Sequence, residues 1–148
     1  VRALLQRVSR AAVRVEGEEV ARIGTGLLVL LGVAAADPPG AAERLAQRCA
    51  EFRIFEDERG RMNRSVLEIG GEALVVPQFT LMADTRSGRR PSFDPAAPPD
   101  RAEGAFQAFC EALTGLGVPT GRGRFGASME VELLNMGPAT FLLESPGP

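Results

Sequence analysis

Leu27-Leu28-Val29-Leu30-Leu31-Gly32-Val33 is an unbroken apolar run between turn-forming residues, Gly24-Thr25-Gly26 before it and Asp37-Pro38-Pro39-Gly40 after it. Its length suits a strand better than a helix. The lack of polar alternation places that strand inside a sheet with both faces buried. Upstream, Ala3 to Val8, Ala11 to Val15 and Val20 to Ile23 read as short strands, with a turn at Gly17 to Glu19. Downstream, Asp37-Pro38-Pro39-Gly40 opens a helix. Ala42, Leu45, Cys49 and Phe52 recur on one face of it, and Glu43, Arg44, Gln47 and Arg48 take the other.

Phe55 to Asn63 is polar and suits a turn or small hairpin, and Ala73 to Val76 is a second apolar strand ending at Pro77. Met82 to Pro99 is a long loop rich in Pro, Arg, Asp and Ser, and loops of that length in compact domains are usually functional. Asp100-Arg101-Ala102-Glu103 has the spacing of a capping box. The helix it would start carries Phe106, Phe109, Cys110, Leu113 and Leu116 on one face and meets stop signals at Gly115, Gly117 and Pro119. Gly121-Arg122-Gly123-Arg124-Phe125-Gly126 is expected to be a loop, and Met129, Val131 and Leu133 alternate as a strand. Phe141 to Leu143 forms the last strand, after a corner at Gly137-Pro138. The fold class is α/β with mixed α+β character: one layered β/β/α domain over residues 1–148, with mixed sheets and two main amphipathic helices. No repeat, low-complexity stretch or linker divides it.

Composition restricts the chemistry. The 148 residues include no His, Tyr or Trp, and all 17 basic residues are Arg. Ser-His-Asp and Cys-His machinery is therefore excluded, as are a Schiff-base lysine and imidazole metal ligands. The formal charge of −2 does not mark a nucleic-acid binder, although local Arg patches matter more than the total. Cys49 and Cys110 fall at core-facing helical positions, where buried free thiols are expected. The amino end lacks the apolar segment of a signal peptide, and Leu27 to Val33 is too short to span a bilayer, so a reducing cytoplasm is the default expectation.

Two segments stand out. Val75-Val76-Pro77-Gln78-Phe79-Thr80-Leu81 ends an apolar strand, a place where sheet proteins put their sites. The amides of Gln78, Phe79 and Thr80 there could form a cup for an anion or oxyanion, from which Pro77 is excluded for want of an N–H. The bland alternative is that Gln78 and Thr80 only satisfy buried polar groups. Asn135-Met136-Gly137-Pro138-Ala139-Thr140 is first a turn, but Gly137 permits close approach by another group and Gly137-Pro138 can be cis. Arg86, Arg89 and Arg90 in one loop, with Arg122 and Arg124 in another, are candidate phosphate ligands or else ordinary surface charges. Asp84, Asp94 and Asp100 lack the spacing of a metal loop, so no metal and no cofactor are expected. Gly121-x-Gly123-x-x-Gly126 matches a dinucleotide pattern but precedes an alternating strand, not a helix.

At these residues the chain resembles the D-aminoacyl-tRNA deacylases, the D-Tyr-tRNA deacylase family. Gln78-Phe79-Thr80-Leu81 combined with Asn135-x-Gly137-Pro138-x-Thr140 is the most specific match. Leu5-Gln6-Arg7-Val8, Arg53-Ile54-Phe55, Pro91-Ser92-Phe93 and Gly123-Arg124-Phe125 extend it along nearly the whole chain. The resemblance implies a cytoplasmic homodimeric hydrolase that cleaves the ester of a D-amino acid, or of glycine, on tRNA. It would thereby proofread chirality in translation. It implies that Gly137 and Pro138 reach into the partner subunit's pocket, hold the substrate's amino group and exclude an L side chain, with Arg7 supporting them. It implies catalytic parts for Gln78, Phe79 and Thr80, with the Phe79 amide and the substrate's 2′-hydroxyl favoured over Thr80 as a nucleophile. Phe125 and Met129 are implied as pocket residues. Pro77 departs from the family's usual Ser and leaves open a tolerance for L-alanyl-tRNA. A non-catalytic RNA-binding module and a general esterase are the alternatives from other classes.

Overall fold

The computed structural model describes residues 1–145. The chain runs β1 (Arg2–Val15), β2 (Glu18–Ile23), β3 (Gly26–Gly32), α1 (Ala41–Glu51), β4 (Phe55–Glu56) and β5 (Met62–Arg64). It continues through β6 (Glu72–Pro77), a 3-10 turn (Phe79–Met82), α2 (Pro99–Gly115), β7 (Thr120–Arg122) and β8 (Glu130–Glu144). The apolar run at Leu27 is β3, and only Leu30 among its residues escapes full burial. β3 lies between β1, with which it pairs antiparallel from Arg2↔Gly32 to Val8↔Gly26, and β6, with which it pairs parallel. The sheet order is β2-β1-β3-β6-β7, with β8 on the other edge of β1. β4 and β5 form a separate small hairpin.

Side-chain alternation sends the two faces of β3 into different cores. Leu27, Val29 and Leu31 meet α1 and α2 through Leu45, Cys49, Phe106, Phe109 and Leu113. Leu28 points the other way and packs with Val8, Val13, Ile23, Leu74 and Val76. The sheet curls enough for β2 to approach β7: a Cβ on Gly121 would lie 3.4 Å from that of Ala21. The result is a mixed α+β architecture with both helices on one face of a curled sheet.

Four sequence expectations need correction. Ala3 to Val8 and Ala11 to Val15 are one strand, because β8 pairs across the intervening residues through Arg10↔Leu134. Met129 to Leu133 and Phe141 to Leu143 likewise belong to a single segment: β8 runs from Glu130 to Glu144 and bulges at Gly137-Pro138 where a corner was expected. Thr120 to Arg122 is a strand paired parallel to β6, although Gly121 and Arg122 are expected from sequence to lie in a loop. α2 starts at Pro99 with Pro98 at its N-cap and no side-chain cap, so Asp100 and Glu103 form no capping box. Proline in the first helical position presets φ and has no N–H that needs a cap. The far end of α2 closes with a Schellman pair, Val118 N–H to Leu113 C=O at 3.1 Å and Gly117 N–H to Thr114 C=O at 3.0 Å.

The long loop after the 3-10 turn is tied down at two places. Asp84 and Ser92 exchange backbone bonds of 2.7 and 2.9 Å, and Ala35 and Ala97 donate to Pro95 and Val33. Among the described residues no helix is long and apolar enough to cross a membrane.

Candidate active site

β6 ends at Pro77, and the chain turns at once into the 3-10 turn. The Gln78 N–H donates 2.8 Å to the Leu31 carbonyl, extending the β3–β6 ladder by one bond. It is therefore not available to a ligand, and the cup of three amides expected from sequence has two donors. These are the amides of Phe79 and Thr80. They open the turn and so lack an internal acceptor, and no other acceptor is bonded to them among the described residues. The first bond of the turn is Leu81 N–H to the Gln78 carbonyl at 3.2 Å. Gln78 Nε2 donates to the Thr80 hydroxyl, so the oxygen of Thr80 is an acceptor with no base beside it.

Phe79 is 58% exposed, and its ring meets Phe93 edge to face, with centroids 5.0 Å apart. Both rings line a cavity of about 580 Å³ whose wall also includes Pro77, Phe106, Phe125 and Met129. That volume lies within the range of small-molecule sites. Phe125 is held against Phe106 at 6.3 Å. The structure thus gathers Gln78, Phe79, Phe125 and Met129 around one apolar cavity, with Thr80 next in the chain but off its wall.

Gly137 and Pro138 lie elsewhere. In the β1–β8 ladder Gln6 pairs with Thr140 and Val8 with Asn135, so Met136 to Ala139 bulge out opposite the single residue Arg7. The Gly137-Pro138 peptide is cis, and Gly137 has φ +132°. Arg7 grips the base of this excursion: Nε donates 2.8 Å to the Met136 carbonyl, and Nη1 donates 2.8 Å to the Ile54 carbonyl. A Cβ on Gly137 would stand 2.7 Å from Arg7 Nη2. Asn135 holds the other side. Its Oδ1 accepts the Ala139 N–H at 2.7 Å, and its Nδ2 donates 2.8 Å to the Thr140 hydroxyl.

Within one chain the two groups are apart. Arg7 pairs with Leu27 on β3, whereas the Gln78 amide bonds Leu31. Those four residues are roughly 13 Å along the strand, and β8 lies three strand spacings from β6, roughly 14 Å more across the sheet. Neither Gly137, Pro138 nor Arg7 lines the aromatic cavity.

The arginines divide as well. Arg86 is bound by the Asp84 carboxylate through Nε at 2.9 Å and Nη2 at 2.8 Å, and those bonds hold the acid well down, at about 2. Arg122 is partly buried and bonded to Gln107 on α2. Arg89, Arg90 and Arg124 are exposed with no side-chain partner among the described residues. They are the ones free to meet an anion. Cys49 and Cys110 are buried free thiols, pushed by burial up to about 12 and about 11. No three His, Cys, Asp or Glu side chains converge as a metal site among the described residues.

Sequence reading did not assign parts to Phe93, Phe106 or the Asn135–Thr140 link. The two phenylalanines carry no local signal, since only the fold brings them to Phe79. Asn135 does carry one: a side-chain amide two residues before Gly-Pro, with a hydroxyl five residues on, can bridge a bulge.

Residues 4–144 match the family model described as D-Tyr-tRNA(Tyr) deacylase. The chain is 56% identical over 145 residues to a D-aminoacyl-tRNA deacylase of Roseiflexus castenholzii, covering 98% of this chain and 92% of that protein. It is 56% identical over 146 residues to one from Deinococcus deserti, covering 99% and 100%. A solved structure described as a c-Myc DNA unwinding element binding protein superposes with TM-score 0.94 at 40% identity, covering 99% of this chain and 100% of that one. A probable eukaryotic D-amino acid tRNA deacylase shares the fold, with TM-score 0.83 at 18% identity over 97% and 98% of the two chains.

Proposed function

The chain belongs to the D-Tyr-tRNA(Tyr) deacylase family, and on that footing we propose that it hydrolyses the ester linking a D-amino acid to the 3′ end of tRNA. The observation that carries this reading is the pair of unbonded amides, Phe79 and Thr80, beside an apolar, aromatic-walled cavity. Amides aimed at a carbonyl oxygen stabilise the negative charge that develops on it, a contribution of several kcal/mol in known sites. Water adds to the ester carbon, the bond to the ribose oxygen breaks, and that oxygen leaves with a proton as the tRNA hydroxyl. The chain has no His or Lys, and among the described residues no Asp or Glu lines the cavity to serve as a general base. The neighbouring ribose 2′-hydroxyl, already beside the ester, fills that part at small entropic cost. The Phe79 N–H orients it or the oxyanion.

The Gly137-Pro138 corner then acts in the cavity of a second copy, where the Gly137 carbonyl takes the substrate's ammonium group and the backbone leaves no room for an L side chain. Glycyl-tRNA, with no side chain to exclude, is also a substrate. Arg89, Arg90 and Arg124 meet phosphates of the acceptor end, and Arg86 and Arg122 contribute only if they leave their present partners.

The 40%-identical solved structure is that of a c-Myc DNA unwinding element binding protein, which supports a second reading, nucleic-acid binding without catalysis. Incubating the purified protein with matched D-tyrosyl-, L-tyrosyl-, L-alanyl- and glycyl-tRNA separates the two. The deacylase reading expects fast release from the D and glycyl substrates and little from L-tyrosyl. Binding with no release from any of them would favour the second reading. Release from L-alanyl-tRNA at a rate like that of the D substrate would mean that Pro77 marks a relaxed selectivity.

A further inference from the structure

We infer that Asn135 and Thr140 are positioning residues for stereoselectivity: their side-chain link sets where the Gly137-Pro138 corner stands, and so which enantiomer is cleaved. The inference rests on the deacylase reading above.

Asn135 is the last residue of β8 in register with β1 before the excursion, and Thr140 is the first in register after it. The four residues between them give up their ladder bonds. Side chains supply the replacements on both flanks, Arg7 to the Met136 carbonyl on one and Asn135 to the Ala139 amide on the other. The orientation of the Asn135 amide follows from chemistry. The Ala139 main-chain N–H can only donate, so the group facing it must be Oδ1. Nδ2 is thereby turned to Thr140, whose hydroxyl oxygen accepts at 2.8 Å. One side chain thus joins the two feet of the excursion and fixes its span.

The tip has little support of its own. Gly137 has no side chain, and both Gly137 and Pro138 are exposed. Ala139, 5% exposed, is the one residue of the four that is buried. Its amide is the group Asn135 holds. Separating two enantiomers requires placement within about an ångström, since misplacement on that scale has large kinetic effects. Loosening the feet moves the tip and opens room for an L side chain. The Phe79 and Thr80 amides are on another element and keep their geometry, so selectivity changes more than the reaction itself.

The test compares kcat/KM for D-tyrosyl-tRNA and L-tyrosyl-tRNA in the wild type and in Asn135→Ala, Thr140→Val and Thr140→Ser, with thermal melting of each. Thr140→Val keeps the shape and loses the acceptor, whereas Thr140→Ser keeps the acceptor. A tenfold or greater fall in the D-over-L ratio is expected for Thr140→Val and Asn135→Ala, mainly through a rise in L-tyrosyl-tRNA hydrolysis, with the ratio retained in Thr140→Ser. A ratio within twofold of wild type in the folded Thr140→Val protein would overturn the inference, even if both activities fell together. If Asn135→Ala does not fold, the Thr140 pair decides. A wild type inactive on D-tyrosyl-tRNA would instead remove the deacylase reading, and this inference with it.

Discussion

Thr80 is the one hydroxyl adjacent to the proposed oxyanion donors, yet its oxygen is engaged by Gln78 Nε2, and the chain has no imidazole or amine side chain to take its proton. A hydroxyl nucleophile without a base is weak. Thr80→Ala, which keeps the Thr80 amide, should therefore retain D-tyrosyl-tRNA hydrolysis within about tenfold of wild type. A trapped aminoacyl-Thr80 ester would contradict this. The thiols allow a second check. Burial holds Cys49 at about 12 and Cys110 at about 11 in the folded protein, against roughly 8.5 in an unfolded chain. The unfolded chain releases these protons first. The thiols' contribution to stability is thus intact below about pH 8 and shrinks as pH climbs toward the folded values. Iodoacetamide at pH 8 should modify neither cysteine in the native protein and both in denaturant; rapid native labelling would show that the α1–α2 interface opens. The burial of these thiols was legible from helical spacing. That the Gln78 amide is taken by Leu31 was not, because the donor's partner comes from a strand more than forty residues earlier.

At the scale of elements, legibility followed the hydrophobic pattern. β3 and the two helices carry long, regular signals and stand where periodicity put them, except that Leu116, expected on the buried face of α2, lies just past its end and is exposed. β7 is Thr120-Gly121-Arg122, with no alternation to read, and becomes a strand only because the edge of β6 is there to pair with it. The bulge of β8 was hidden for the reverse reason: Gly137-Pro138 is a strong turn signal, but the long partner β1 holds both flanks in one ladder. The same dependence on neighbours gives two glycine substitutions opposite signs. Gly26 pairs with Glu72 in the parallel ladder, and a Cβ there would overlap the Glu72 backbone. Gly26→Ala should be destabilising beyond the usual 0.5–3 kcal/mol of single substitutions. Gly104, on the exposed side of α2, has nothing within 4 Å of a built Cβ. Gly104→Ala should stabilise by about 0.5–1 kcal/mol through helix propensity alone. Urea unfolding of both variants checks the pair, and equal shifts of the same sign would count against the packing described here.

For the whole molecule, the proposed function needs the two groups of candidate residues to meet in one site. One chain separates the Phe79 cavity from the Gly137-Pro138 corner by the breadth of the sheet, and Met136, Gly137 and Pro138 are exposed. A symmetric pair of copies would let each corner reach the other's cavity and make two equivalent shared sites. Phosphate contacts through Arg89, Arg90 and Arg124 would add a salt-dependent component to binding, seen as a Michaelis constant that rises with ionic strength. The direct test of the shared site is complementation. Phe79→Pro removes the proposed amide donor, and Gly137→Phe blocks the corner; each variant alone should be inactive on D-tyrosyl-tRNA. Mixed and refolded together, half of the dimers should be hybrids, and each hybrid has one intact site. The predicted result is recovery to about a quarter of wild-type hydrolysis per subunit. No recovery in a mixture shown by mass spectrometry to contain the hybrid would mean that Phe79 and Gly137 do not form one site across two copies, and would contradict the account.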